Sequence, residues 1–336
     1  MLMPSEITAE APSNIALIKY WGAEDLGAVV PCNPSLSMTL DRCRSVCSAS
    51  FFEGDRRPDE ILLERDGALA PAPESFSRRI AAHLVRLRTA WNRQGTLRIA
   101  TRNTFPAEAG IASSASGFTA LTLAVSRALG IELAPAELSN WSRRSGSGSA
   151  SRSAFGGYVQ WPAPGTADAA SAAPVADAEH WPLCDLVAIV SSSSKEVSSL
   201  EGHQRAATSP YFRRRLELVP GRLDTVREAI AGRDFARLAD AVDEEAIDLH
   251  LIMMSSRPPI FYWRPATVAV LAEVRRLRRE GLAVCATMDA GPNVHVLCEP
   301  QCAADAEAAL RRVEGVEEVL ADRTGTGPVW RQGAEL

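Results

Sequence analysis

Between Asn103 and Leu129 the chain reads Asn-Thr-Phe-Pro-Ala-Glu-Ala-Gly-Ile-Ala-Ser-Ser-Ala-Ser-Gly and then becomes apolar and alanine-rich. This stretch narrows the fold most, because it is a loop that becomes a helix. Pro106 and Gly110 punctuate the loop, and Ser113, Ser114 and Ser116 are small polar residues suited to capping. Phe118, Leu121, Val125 and Leu129 then recur at helical spacing. Small residues ahead of a helix let backbone N–H groups approach an anion closely, and the helix start adds partial positive charge. A phosphate fits such a place, and the serine hydroxyls can ligate Mg²⁺ or donate hydrogen bonds. An ordinary capped core helix has the same signature, so the stretch alone leaves both readings open.

Composition sets outer bounds. A chain of 336 residues, 46% apolar and 23% charged, is long enough for one large domain or two medium ones and has the balance of a soluble globular protein. A net charge of −5 provides no broad basic field, so nucleic acid is not the expected partner. No apolar run is long enough for a bilayer and the N-terminal residues lack a signal-peptide pattern, so no membrane association and a cytoplasmic location are expected. The seven cysteines are scattered; Cys43 and Cys47 are the closest pair, with no second pair or histidine to complete a zinc site, and reduced thiols are expected.

Along the chain, Ile7 to Trp21 reads as an early strand, followed by strands at Leu36–Leu40 and Val46–Phe52. The charged, proline-bearing segment 55–73 reads as a surface excursion, and Phe76, Ile80, Leu84, Leu87 and Trp91 mark a helix face. A strand at Thr96–Thr101 leads into the central loop; a short helix follows at Ala134–Arg144, then a strand at Gly157–Trp161. Residues 163–179 read as a loop at a lobe boundary. Beyond it come a strand at Leu183–Val190, helices at about 209–232, 234–254 and 265–280, and strands at Ala283–Met288 and Val294–Cys298. A helix at Ala303–Val313 and a last strand at Val316–Leu320 complete the pattern, which has no internal repeat. Strands and helices alternate without a parallel-sheet rhythm, so the expectation is an α+β fold in two lobes, residues 1–180 and 181–336.

Three further stretches can carry chemistry. Asn14, Lys19 and Tyr20 are polar residues in an apolar early strand, which costs free energy unless each has a partner. Residues 145–153 hold alternating hydroxyls, two glycines and Arg152; Ser147, Ser149 and Arg152 can together hold a phosphate and a carboxylate, since a guanidinium matches both bidentately. Asp289 ends an apolar strand before the turn Ala290-Gly-Pro-Asn293; it is either a turn former or a proton acceptor that positions a hydroxyl for attack on a phosphoryl group. His203, His250 and His295 lack metal-ligand spacing to one another.

Taken together, these stretches resemble the mevalonate diphosphate decarboxylases of the GHMP kinase superfamily over nearly the whole chain. The matching motifs are Ala11-Pro-Ser-Asn-Ile-Ala-Leu-Ile-Lys-Tyr-Trp-Gly22, Asn33-Pro-Ser-Leu-Ser-Met-Thr-Leu40, Phe105 to Gly117, Gly146 to Ser153, Phe155-Gly-Gly157, Pro258-Pro-Ile-Phe-Tyr262 and Asp289 to Asn293. The resemblance implies an N-terminal lobe like ribosomal protein S5 domain 2, a ferredoxin-like C-terminal lobe and an active site between them. It implies a homodimer that uses ATP and Mg²⁺ to phosphorylate the 3-hydroxyl of 5-phosphorylated mevalonate, after which phosphate and CO₂ leave and an alkene remains.

By the same resemblance, Asp289 is the catalytic aspartate, Arg152 holds the substrate carboxylate and Asn14 orients Arg152. Tyr20, Ser147 and Ser149 match contacts to the substrate's 5-phosphate end; Lys19, as a polar residue in the apolar early strand, and His203, as a replacement for a missing cation, are further candidates for the substrate site. Gly110, Ser113, Ser114 and Ser116 form the ATP phosphate loop, Ser114 also serving the metal, and Lys195 lies near the nucleotide phosphates. Two positions depart from the family pattern: Ala23 follows Tyr-Trp-Gly where a lysine is expected, and Leu200 follows Val-Ser-Ser where an arginine is expected. Both missing cations would touch the terminal phosphate, and a charge-assisted hydrogen bond is worth about 1.5–3 kcal/mol. His203 or Arg205 are the candidate replacements, and the number of phosphates on C5, one or two, stays open. A small-molecule kinase that stops at the 3-phosphate is the nearest rival, and a catalytically inactive binding protein the next.

Overall fold

The first strand, β1 (Ile7–Ile18), is buried along almost its whole length; β4 (Ser35–Glu53) pairs with it antiparallel from end to end, and β14 (Val329–Gln332) pairs with its first residues, Ile7 to Glu10. The closing run Ile15-Ala-Leu-Ile18, beyond the reach of β14, is apolar on both faces rather than alternating because Ile15, Leu17 and Ile18 join a buried cluster with Val187, Leu223 and Leu238 from the second half of the chain. The computed structural model describes residues 6–65, 67–106, 111, 113–162, 170–193 and 196–333. A small hairpin, β2 (Ala23–Asp25) with β3 (Val30–Pro31), separates β1 from β4. Then follow β5 (Glu60–Arg65), β6 (Ala68–Pro71), helix α1 (Glu74–Ala90) and β7 (Gly95–Asn103). Helices α2 (Ser113–Ala128) and α3 (Pro135–Arg143), a 3₁₀ turn over Gly148–Ala154, β8 (Tyr158–Trp161) and β9 (Ala173–Ala176) complete this half. The sheet order is β14-β1-β4-β7-β5-β6, with β8 on the first half of β4 and β9 beyond it.

Helix α2 crosses β1 and β4. Its Ala115, Ser116, Ala120 and Ala124 are fully buried, and side chains this small let the helix come close to the sheet. Two buried threonines are satisfied within the helix, Thr119 on the Ala115 carbonyl at 2.9 Å and Thr122 on that of Phe118 at 2.7 Å.

The second half is β10 (Cys184–Ile189), α4 (Ser199–Arg205), α5 (Phe212–Gly232), α6 (Phe235–Ser255), α7 (Pro265–Arg279), β11 (Val284–Thr287), β12 (Val294–Cys298), α8 (Ala303–Leu310) and β13 (Glu318–Arg323). Its four strands form an antiparallel sheet ordered β11-β12-β10-β13. One face packs on α7 and α8 through Leu186, Val270, Val274, Val296 and Leu310; the other, with Val187, Cys285 and Leu297, packs on α5, α6 and the first half's Ile15 and Leu17. The α+β expectation holds, and both sheets are mixed with helices as anticipated.

Several boundaries differ. The two strands expected at 36–40 and 46–52 are one 19-residue strand, β4. The polar break between them is a register shift: Pro12 pairs with Arg44 but Asn14 with Thr39, so residues 40–43 leave the β1 ladder. Proline lacks the N–H that a ladder needs, which suits it to that point. The freed amides of Asp41, Arg42 and Cys43 donate to the Asp322 carboxylate at 3.0, 2.9 and 2.8 Å, and Leu40 pairs with Thr324. The excursion 55–73 carries β5 and the short, exposed edge strand β6, which closes at Pro71 as an edge strand can. The presumed loop 163–179 contains β9, and residues 163–169 lie outside the described ones. The last expected strand is displaced to Glu318–Arg323, and β14, which pattern reading did not mark, returns to the first sheet.

Candidate active site

Lys19 directly follows β1, and its main chain is held on both sides. Its amide donates to Glu245 Oε1 at 3.0 Å, and its carbonyl accepts from Asn33 Nδ2 at 2.8 Å and Arg215 Nη2 at 3.0 Å. Glu245 is fully buried and also binds Arg215 and Arg222, the latter at 2.6 Å. Thus fixed, Lys19 points its ammonium at Asp289, Nζ to Oδ1 2.7 Å. Asp289 stands at the start of the turn that joins β11 to β12. Asn293, at the turn's far end, accepts from the amides of Val190 and Ser191 at 2.8 and 3.1 Å, and the Pro292 carbonyl accepts from Thr267 at 2.6 Å.

The two ends of this ion pair differ in exposure, 2% for Lys19 and 29% for Asp289. For the lysine, burial dominates and lowers the pKa, although Asp289 pulls the other way. For the aspartate, burial pushes upward, but the charge and hydrogen bond of Lys19, with His295 and Arg152 behind them, outweigh it and hold the carboxyl below its ordinary range. Asp289 is therefore an ionised carboxylate at neutral pH that still meets the cleft.

Arg152 comes from the 3₁₀ turn and is 2% exposed. Its Nε donates to Ser37 Oγ at 3.0 Å and Asn14 Oδ1 at 3.4 Å, and its Nη1 to Ser35 Oγ. Asn14 is itself oriented by donating to Ser153 Oγ at 2.8 Å and to the Ser149 carbonyl at 3.4 Å. Burial draws the Arg152 pKa down to about 10, with Asp289 and Tyr20 opposing, so it stays charged at neutral pH. Among the described residues it has no salt bridge to a carboxylate, and its partners are hydroxyls and an amide. A buried guanidinium solvated only by neutral groups is suited to an incoming anion.

A row of hydroxyls runs from the start of α2 towards Tyr20. Ser114 is exposed there, its Oγ 3.4 Å from that of Ser147, and Ser147 lies 3.3 Å from Ser149. Tyr20 leans against Trp161 and His203, with ring centroids at 5.1 and 4.2 Å, and burial raises its pKa to about 12, so it is a neutral phenol. Gly148 is required beside it, since a Cβ there would sit 2.6 Å from Tyr20 Cε1.

His203 also packs on Trp21 and accepts the Gly22 amide proton at Nδ1, 3.0 Å away. Burial lowers its pKa to about 3, so at neutral pH it is uncharged. Arg205 is paired with Glu201. The expectation that His203 supplies a replacement cation therefore fails: Nδ1 is committed to an N–H donor, and the ring is packed between aromatic neighbours.

Of the other sequence-derived candidates, Ser113 and Ser114 open α2 as expected. Ser116 is corrected: it is fully buried, its Oγ 2.7 Å from that of Ser45, so it packs helix against sheet instead of reaching a phosphate. Gly110 and Lys195 lie outside the described residues. Sequence reasoning missed Ser35 and Ser37 as supports of Arg152, although alternate serines on one strand face were a visible signal. It also missed Glu245, Arg215 and Asn33 as the mount of Lys19, and for the first two no local pattern announces the role.

An ionised carboxylate, a buried guanidinium and a helix start flanked by hydroxyls, drawn from both halves of the chain, are the groups that an enzyme of the phosphoryl-transfer kind needs. Comparison with known proteins narrows the class. Residues 11–173 match the diphosphomevalonate decarboxylase-like N-terminal domain and residues 185–328 the mevalonate 5-diphosphate decarboxylase C-terminal domain. Diphosphomevalonate decarboxylase mvd1 of Aspergillus fumigatus is 38% identical over 309 residues, 85% of this chain and 75% of the relative. The crystal structure of mevalonate diphosphate decarboxylase from Staphylococcus aureus superimposes with a TM-score of 0.89 at 30% identity, covering 97% of this chain and 98% of the other. A structure of MDDEF in complex with MVAPP, AMPPCP and magnesium superimposes with a TM-score of 0.88 at 33% identity, over 98% and 99% of the two chains. The chain belongs to the diphosphomevalonate decarboxylase family, and its fold is that of the GHMP kinases.

Proposed function

We propose that the protein catalyses ATP-dependent decarboxylation of a 5-phosphorylated mevalonate, giving isopentenyl diphosphate or isopentenyl phosphate. The observation that carries this reading is the pairing of two groups in one cleft: Asp289 kept ionised by Lys19, and Arg152 buried with no carboxylate partner among the described residues. Such a site suits a substrate that brings both a hydroxyl and a carboxylate. Asp289 accepts or orients the proton of the tertiary 3-hydroxyl as that oxygen attacks a phosphoryl group. Arg152, aimed by Asn14, Ser35 and Ser37, fixes the carboxylate so that its C–C bond electrons flow towards C3 when the phosphate departs. Positive charge then builds at C3, and the Asp289 carboxylate stabilises it.

The α2 start, with exposed Ser114 beside Ser147, fits a nucleotide phosphate. Ser114 and the phosphates would hold Mg²⁺, which neutralises the charge of the transferring group. This agrees with the AMPPCP and magnesium named for the MDDEF complex. Tyr20, Ser147, Ser149 and His203 form the end of the cleft for the 5-phosphate, which the neutral groups contact as hydrogen-bond partners. A homodimer working in the cytoplasm is the assembly and location we propose; among the described residues no helix is long and apolar enough to cross a membrane.

A second reading concerns the number of phosphates. Ala23 and Leu200 stand where the family carries cations, His203 is neutral and Arg205 is engaged with Glu201, which favours the substrate of lower charge. One experiment decides both questions: incubation with Mg-ATP and mevalonate, its 5-phosphate or its 5-diphosphate, following ADP, phosphate and CO₂. CO₂ released in step with ADP from a phosphorylated substrate is the expected result. A preference for the monophosphate assigns Ala23 and Leu200 to substrate choice, and a preference for the diphosphate makes them neutral replacements. ADP without CO₂ rejects decarboxylation in favour of a 3-kinase.

A further inference from the structure

Cys184 opens β10 and Cys298 closes β12, and the strand register sets them directly opposite one another. Their separation of more than a hundred positions in sequence hides this pairing. Directly opposed residues on antiparallel strands have Cα atoms about 4.5–5.5 Å apart, inside the range of roughly 4.4–6.8 Å that a disulfide spans. The Cα spacing of this pair is therefore one that a disulfide can span. On its other side Cys184 faces Arg323 of β13, whose Nε also meets Asp41 at 3.1 Å.

The two thiols are not equivalent. Cys298 is fully buried, whereas Cys184 is half-buried and meets solvent at the sheet's end. The Cys298 thiol interacts with Cys184 and lowers its pKa against burial, Arg323 assists and Asp185 opposes, while the same contact raises Cys298. A partly exposed thiol between a guanidinium and a second thiol has the surroundings of a reactive cysteine. Cys302, half-buried at the start of α8, is a further thiol whose charge acts on Cys298.

We propose that Cys184 and Cys298 are a reversible thiol–disulfide pair, Cys184 being the thiol that a hydroperoxide oxidises and Cys298 the one that resolves it. The Cys184 thiolate attacks the distal peroxide oxygen, the O–O bond breaks, and the departing alkoxide (hydroxide from hydrogen peroxide) takes a proton and leaves as alcohol or water. The resulting sulfenic acid is attacked by Cys298 sulfur, the S–O bond breaks and water departs with the Cys298 proton. The two cysteines lose two electrons and the hydroperoxide gains them. A dithiol reductant reverses the change by exchange. The pair lies at the opposite end of β10 and β12 from Asn293, so none of the groups placed in the active site takes part.

The test uses the reduced full chain exposed to hydrogen peroxide, followed by thiol counting and peptide mass mapping. Wild type is expected to lose two of its seven thiols, to yield a Cys184–Cys298 cross-linked peptide, and to recover both thiols with dithiothreitol. Cys298→Ser is expected to trap a dimedone adduct on Cys184, and Cys184→Ser to slow thiol loss at least ten-fold, with the circular dichroism of both variants unchanged. A folded wild type that forms no such cross-link overturns the proposal. So does a first dimedone adduct on Cys32 or Cys302, or a Cys298–Cys302 bond that forms as fast in Cys184→Ser as the cross-link does in wild type.

Discussion

Asp289 and Lys19 act on each other's protonation, and the balance between them is open to measurement. The aspartate's pKa is depressed in the fold, so its contribution to stability is present above the unfolded pKa of about 3.9 and is lost as pH falls through the lower folded value. Lys19→Met removes the largest force holding Asp289 low and leaves burial to push it up. The acid limb of kcat/KM is then expected at higher pH than in wild type, a shift that a profile measured with both enzymes will show or refute. Asp289→Asn keeps the size of the side chain but removes the proton acceptor. A fall in kcat of about 10²–10⁴-fold is expected, with ATP binding retained in a calorimetric titration; unchanged turnover would exclude the role given to Asp289. Both partners were visible as sequence candidates because polar residues stood in apolar strands. Their contact across 270 positions was not visible, and Ser116 was misplaced because a serine that caps and one that packs look alike in sequence.

At the scale of elements, periodicity located the helices better than the strands. Helices α5, α6 and α7 fall close to the expected spans because each carries an apolar stripe over four turns or more. Strand β4 was read as two because Asp41, Arg42 and Arg44 interrupt its apolar pattern, yet the polar stretch is a displaced segment whose amides are served by Asp322. An acceptor in another sheet, far along the chain, is beyond any local window. It also makes a prediction. Asp322→Ala leaves the Asp41, Arg42 and Cys43 amides without their acceptor, and a buried unsatisfied donor costs about 1–3 kcal/mol. A lower urea midpoint with an unchanged m-value is the expected result; an unchanged midpoint would mean that water serves those amides equally well.

At the scale of the whole molecule, the candidate site draws its residues from both halves of the chain, so the resemblance of motifs across the chain conveyed more of the architecture than periodicity could. What the motifs did not contain are the buried charges that hold the Lys19 main chain. Glu245 of α6 accepts from the Lys19 amide and from Arg215 and Arg222, while Arg215 returns to the Lys19 carbonyl and to Asn33. This one carboxylate thus joins two helices of the second half to the end of β1 in the first. Glu245→Gln retains the shape but leaves two guanidiniums facing a neutral amide, and breaking a buried pair from one side costs about 3–5 kcal/mol. The expected variant unfolds at lower denaturant. It also loses turnover at temperatures where it is still folded, because a shifted Lys19 main chain misdirects the ammonium that holds Asp289. The two effects separate experimentally through the acid limb of kcat/KM: displacement of Lys19 moves the limb upward in the folded variant, as Lys19→Met does. Glu245 acting only as a brace would lower the denaturation midpoint and leave the limb where it is.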